Sequence, residues 1–238
     1  MFYYYGNSSM SIVRAPSSKI ALIAGSTGLI GGHCLRLLLD HPAYAQVIAL
    51  VRKPQEVTHP RYREIVTSFA DLGSIPPVSA DDAFCALGTT IKKAGSKEAF
   101  RHVDHDAVAN FAYWARAGET QCFCVVSSIG ADSNSGTFYL AVKGEMEEGI
   151  AEQRFPRSHI FRPSVLLGDR KESRPGEALM AGILRLTAPL LVGPLREYRA
   201  IEAASVAQAM VAAAQQEQAG RFVYTYEEIR QLAAKNHA

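Results

Sequence analysis

The chain has 238 residues, enough for one α/β domain with a small annex and a sizeable core. Hydrophobic residues make up 48% and charged residues 20%, which excludes a disordered chain. The formal net charge of +2 excludes a basic field for nucleic acid and an acidic tail.

Residues 1–18 lack a charged segment followed by an apolar one, so they do not read as a secretory signal. They read as a disordered or loosely packed leader, with Met10 as an alternative start. The ordered pattern begins with KIALIA, Lys19 to Ala24, a short apolar run that predicts a buried strand. A glycine turn follows, then a helix predicted over His33 to Leu39 and a second buried strand over Val47 to Val51. Strand, turn, helix and strand together have the size of a βαβ crossover.

The alternation continues. Strands are predicted at Arg63 to Thr67, Ala83 to Leu87, Cys122 to Ser128 and Ser158 to Ser164. A helix over Lys97 to Ala117 carries Phe100, Val103, Ala107, Val108, Phe111 and Trp114 at helical spacing, and another spans Tyr139 to Glu152. Continuous apolar strands between helices imply a doubly wound parallel sheet, a Rossmann-type α/β fold. After Pro163 the pattern turns irregular. Leu166 to Arg199 surrounds one helix at Glu177 to Leu186 and reads as a substrate-facing annex. A helix over Ser205 to Gln215 with Ser205 as N-cap, a strand at Phe222 to Thr225 and a helix at Tyr226 to Ala234 close the chain. The expected organisation is one domain over 19–238, with its annex around 166–199. The apolar stretch MAGILRLTAPLLVG is broken by Arg185 and Pro189, so no membrane span is expected.

Cys34, Cys85, Cys122 and Cys124 lie in apolar runs with no CxxC pair. They read as buried free thiols in a reducing compartment, for which we take the cytoplasm. The seven histidines show no HxH or HExxH spacing, so no metal site is expected.

Gly25, Gly28 and Gly31 have the spacing GxxGxxG between a strand and a helix. Glycine there permits a tight turn, close backbone approach to a pyrophosphate and close helix–strand packing. The helix N-terminus offers free N–H groups to the anion. Arg52 and Lys53 follow the second strand, where an NAD site usually carries a carboxylate for the ribose 2′-OH. Two cations suit the 2′-phosphate of NADP(H) instead.

Tyr139 and Lys143 form YxxxK at the start of the helix after the fifth strand, one turn apart on one face. A tyrosine beside an ammonium can pass a proton to or from a substrate oxygen. Ser127 and Ser128 end the fifth strand on the same carboxyl edge, where a hydroxyl can hold a substrate carbonyl. We favour Ser128, although spacing does not separate the two.

The segments GSTGLIG, CALGTT, VVSSIGA, Tyr139-Leu-Ala-Val-Lys143 and FRPSVLLG resemble the short-chain dehydrogenase/reductase superfamily, in its atypical NmrA-like branch. The resemblance runs from about Lys19 to Glu177. It implies that Gly25, Ser26, Thr27, Gly28, Leu29 and Ile30 line the pyrophosphate turn and that Arg52 and Lys53 meet the 2′-phosphate. It places Leu87 and Gly88 over the adenosine side, and Leu166 and Arg174 toward the cofactor. Tyr139 would be the proton donor or acceptor, and Lys143 would bind the nicotinamide ribose. Many members carry an Asn on the long helix before the fifth strand; here the matching position is Asp104.

The expectation is an NADPH-dependent oxidoreductase acting on a small carbonyl or alcohol substrate. The alternative is an NADP(H)-sensing regulator with little or no turnover. A protein partner or a homodimer is left open. An epimerase would need a larger sugar-nucleotide domain than the chain offers after Pro163.

Overall fold

The computed structural model describes residues 19–168 and 193–235. The leader, Arg174, and most of the expected annex with its helix at Glu177 to Leu186 lie outside the described residues. The described elements are β1 (Lys19–Ala24), α1 (Leu29–Asp40), β2 (Tyr44–Val51), β3 (Tyr62–Val66), β4 (Asp82–Cys85), α2 (Ile91–Ala94) and α3 (Lys97–Arg101). They continue with α4 (Ala107–Ala117), β5 (Cys122–Val126), α5 (Phe138–Glu152), β6 (Arg157–Phe161) and β7 (Leu166–Leu167). The chain closes with β8 (Ile201–Glu202), α6 (Ala203–Ala214), β9 (Gly220–Tyr224) and α7 (Tyr226–Lys235).

Seven strands pair in parallel in the order β3-β2-β1-β4-β5-β6-β9, and β7 and β8 form a separate two-stranded ribbon. The fold is the doubly wound Rossmann arrangement. Side chains of β1 alternate between two cores, as the period of a strand demands. Ala21 and Ile23 join a core built with Leu35 and Leu38 of α1 and Val206 and Met210 of α6. Leu22 and Ala24 face the other core, with Phe111 and Trp114 of α4 and Met146 and Ile150 of α5. Both faces of β1 are therefore dry, which is why the central strands read as apolar runs, while the edge strands β3 and β9 stay partly exposed.

The strand order reverses between β1 and β4. Ligands of open α/β sheets bind outside the carboxyl ends of the strands at such a switch point. The turn after β1 and the Ala86–Gly88 loop after β4 meet there.

Several expected boundaries move: the strands expected to end at Leu87, Ser128 and Ser164 end at Cys85, Val126 and Phe161, and three helical features change. Helix α1 starts at Leu29 rather than His33, because Gly31 and Gly32 sit inside its first turns despite their weak helix propensity. The long helix expected over Lys97 to Ala117 contains a π-helical stretch, His102–Asp106, between α3 and α4. Such stretches recur at functional sites, and this one buries Asp104. Ser205 is not an N-cap: α6 starts at Ala203 with Glu202 in the cap position, so Ser205 lies within the helix.

Candidate functional site

The glycine turn is a crossing of three backbone segments. Gly25 adopts φ +83°, a left-handed conformation, and a Cβ there would lie 2.6 Å from the Ala86 carbonyl. The Gly28 N–H donates to the Gly25 carbonyl at 2.9 Å and closes the turn. A Cβ on Gly31 would overlap the Gly25 carbonyl oxygen, so only glycine lets α1 pack this close. Leu29 meets Gly168, just beyond β7, where a Cβ would lie 3.1 Å from its Cδ1. Ile30 joins the core, which leaves only its backbone to face a ligand, while Thr27 is exposed.

The residues of this turn fit a pyrophosphate. The α1 N-terminus has no side-chain cap and no acidic residue in its first turn, so its N–H groups and positive dipole end are unopposed. The Ser26 hydroxyl is buried without a hydrogen-bond partner among the described residues. A buried orphan hydroxyl in a native fold calls for an explanation, and a phosphate oxygen would provide one.

The register Ala24↔Leu50 brings the end of β2 beside the turn. Arg52 and Lys53 leave that end with both side chains exposed. Neither side chain has an ion-pair partner among the described residues. Leu87 is half-buried and Gly88 exposed on the loop after β4.

Across this loop lies a buried ion pair. The Lys143 ammonium is 2.8 Å from Asp104 Oδ1, with side-chain exposures of 4% and 1%. Asp104 Oδ2 accepts from the Thr89 N–H at 2.8 Å, which ties the π-helical stretch to the β4 loop. A Cβ on Gly88 would sit 3.4 Å from Asp104 Oδ1 and 4.0 Å from Lys143 Nζ. Burial pushes the Cys85 thiol, on the strand leading into this loop, up to about 12, so it is a neutral neighbour of the pair. Tyr139, one turn before Lys143 on α5, is half-exposed and packs its ring 5.4 Å from the buried Phe100 ring. Its hydroxyl has no hydrogen-bond partner among the described residues.

The structure separates the two serines. Ser127 Oγ donates to Glu147 Oε1 at 2.6 Å, inside a buried network. Arg162 grips the same carboxylate, and Arg221 approaches it at 3.4 Å. The Glu147 hydrogen bonds outweigh partial burial and hold the Arg162 guanidinium above its usual range. Ser128 Oγ makes only a long 3.3 Å contact with the Ile129 carbonyl. Ser127 is therefore engaged in the fold, whereas the Ser128 hydroxyl, though also buried, is held only by that long contact. Leu166 opens β7 and pairs with Ile201 of β8. Glu147 and the Thr89 amide carried no signal in the sequence: nothing in the acidic run GEMEE marks one of its carboxylates as buried.

No family model matches the chain. It is 39% identical over 167 residues to Protein HTATIP2 of Rattus norvegicus, covering 68% of this chain and 69% of that protein. It is 34% identical over 203 residues to "Protein fmp52, mitochondrial" of Aspergillus niger, covering 82% and 86%. Among solved structures, the Bordetella bronchiseptica enzyme WbmH in complex with NAD+ superposes with a TM-score of 0.64 at 16% identity, over 87% of this chain and 75% of that one. At that identity the likeness shows the fold alone.

The fungal relatives named mitochondrial overturn the cytoplasmic assignment. That assignment leaned on four free cysteines, and all four are buried. A thiol sealed in the core makes no contact with the surrounding redox buffer, so its reduced state does not identify a compartment.

Proposed function

The chain belongs to the family of HTATIP2 and the FMP52 proteins, in the atypical NmrA-like branch of the short-chain dehydrogenase/reductases, and on that premise we propose that it is an NADP(H)-dependent oxidoreductase acting on a carbonyl or alcohol substrate. The observation that carries the reading is a single carboxyl edge that brings together the features each half of a dinucleotide site would need. At one end lies the glycine turn with its orphan Ser26 hydroxyl. At the other, a buried Lys143 ammonium sits one turn beyond a half-exposed Tyr139.

Gly25, Ser26, Thr27, Gly28, Leu29 and Ile30 would hold the pyrophosphate through backbone N–H groups and the Ser26 hydroxyl. Arg52 and Lys53 would take the 2′-phosphate, which favours NADP(H) over NAD(H). The nicotinamide, when bound, supplies or accepts the hydride. Tyr139 donates a proton to the substrate oxygen in reduction and removes it in oxidation. Ser128 donates a hydrogen bond to that oxygen and steadies its developing charge. Lys143 presents its remaining ammonium protons to the ribose hydroxyls.

Depletion of NADPH absorbance with a panel of aldehydes and ketones tests this, with Tyr139→Phe as the paired variant. The reading expects turnover with at least one carbonyl class, and a loss of 100-fold or more, on the order expected for general acid–base catalysis, in the variant. Turnover unaffected by the substitution contradicts it. The second reading, an NADP(H)-sensing regulator with a protein partner, is favoured by one observation: Asp104 neutralises the ammonium that Tyr139 would lean on. Tight NADPH binding with no turnover across the panel would select it.

A further inference from the structure

The Lys143–Asp104 pair is buried within the site, and its consequence is a matter of net charge. A lysine alone would leave one uncompensated positive charge beneath the Gly88 loop. Asp104 cancels it at 2.8 Å and is fixed there by the Thr89 amide.

We propose that Asp104 is a specificity-determining residue that sets the relative affinity for oxidised and reduced cofactor. The two forms differ by one positive charge on the nicotinamide ring. An unbalanced ammonium nearby repels the oxidised form and leaves the reduced form little affected; a neutral pair discriminates weakly. The effect is electrostatic and acts at low dielectric, where a charge several ångströms away still counts. Asp104 acts through Lys143, so it is a positioning residue and touches no reacting atom. Both physiological readings would use it: a reversible oxidoreductase needs both forms to bind, and a sensor needs a defined ratio between their affinities.

The inference rests on the proposed cofactor site, and its test needs no turnover. Dissociation constants for NADP+ and NADPH are measured by calorimetric titration on the wild type, on Asp104→Asn, and on the double variant Asp104→Asn/Lys143→Met. In Asp104→Asn the ratio of the NADP+ constant to the NADPH constant should rise by about tenfold or more, since one charge–charge interaction several ångströms apart at protein-like dielectric is worth at least that. The double variant has lost both charges and should return to within about twofold of the wild-type ratio, even if both affinities drop. This restoration separates a charge effect from structural damage. Equal weakening of both forms in Asp104→Asn, an unchanged ratio, or a double variant that keeps the shifted ratio overturns the inference while the cofactor site stands. A wild type that binds neither form overturns the cofactor reading and this inference with it.

Discussion

Arg162 holds Glu147 with two parallel hydrogen bonds, from Nε to Oε1 at 2.9 Å and from Nη2 to Oε2 at 2.7 Å. The carboxylate is 2% exposed and also receives the Ser127 hydroxyl, so one side chain of α5 fastens the ends of β5 and β6. Breaking a buried charge pair by removing one partner costs about 3–5 kcal/mol. The guanidinium keeps some access to water, so Glu147→Gln should cost about 3 kcal/mol in urea unfolding. A loss below about 1 kcal/mol would show that the network adds little beyond ordinary surface pairing.

The two serines should separate in experiment as they do in space. Ser127→Ala removes a hydrogen bond to a buried carboxylate and should cost about 1.5–3 kcal/mol of stability. Ser128→Ala forfeits one long hydrogen bond and should lower stability by no more than about 1 kcal/mol. For turnover the order reverses: Ser128→Ala should lower kcat about 100-fold, the scale of one lost oxyanion donor, and Ser127→Ala should not. Equal kinetic effects from both would refute the assignment.

Neighbouring glycines of α1 should respond with opposite signs. Gly31→Ala drives a methyl into the Gly25 carbonyl oxygen and should lower stability by several kcal/mol, of order 3 or more, with loss of NADPH binding. Gly32 has its nearest neighbour, the Ser26 carbonyl oxygen, 3.6 Å from an added Cβ, an ordinary contact. Gly32→Ala should raise stability by up to about 1 kcal/mol through helix propensity. Thermal unfolding of both variants decides the matter; a destabilised Gly32→Ala would mean that α1 needs that glycine for more than packing space.

Helix α7 opens on a capping box that makes a pH-dependent contribution. The Thr225 N–H and hydroxyl both donate to Glu228 Oε2, at 2.9 and 2.6 Å. Partial burial alone would raise the Glu228 carboxyl, but the Thr225 bonds outweigh it and hold the group below its ordinary value of 4.5. A depressed carboxylate stabilises the fold above its unfolded pKa, and that contribution fades as pH falls through the folded value. Glu228→Gln should therefore cost about 1 kcal/mol at pH 7, and the gap from wild type should close below about pH 4. A gap that persists unchanged at pH 3 would assign the effect to packing.

The central strands were legible because they are buried on both faces and so carry apolar runs, whereas the edge strands β3 and β9 are partly exposed and gave a weaker pattern. Lys19–Ala24 was read with the boundaries the structure shows. The start of α1 was not legible, since two glycines in its first turns lower the local propensity that a reader relies on. The π-helical stretch at His102–Asp106 was hidden because the apolar residues flanking it stay buried, Phe100 against Tyr139 and Val108 and Phe111 in the core. Asp104 could be recognised as a departure from Asn, but its partner could not: a residue's ion pair depends on which distant helix faces it. The choice between Ser127 and Ser128 likewise waited on Glu147, a residue of another element.

On the proposed reading, the carboxyl edge of this sheet binds NADP(H) through the glycine turn and the two cations beyond β2. Titration of the wild type and of Arg52→Ala/Lys53→Ala with NADPH and NADH measures it directly. The account predicts that wild type binds NADPH at least about tenfold tighter, the worth of a charge-assisted contact to the 2′-phosphate, and that the double variant loses this preference while keeping its NADH affinity. NADH binding as tight as NADPH to the wild type, or a preference that survives removal of both cations, would contradict it.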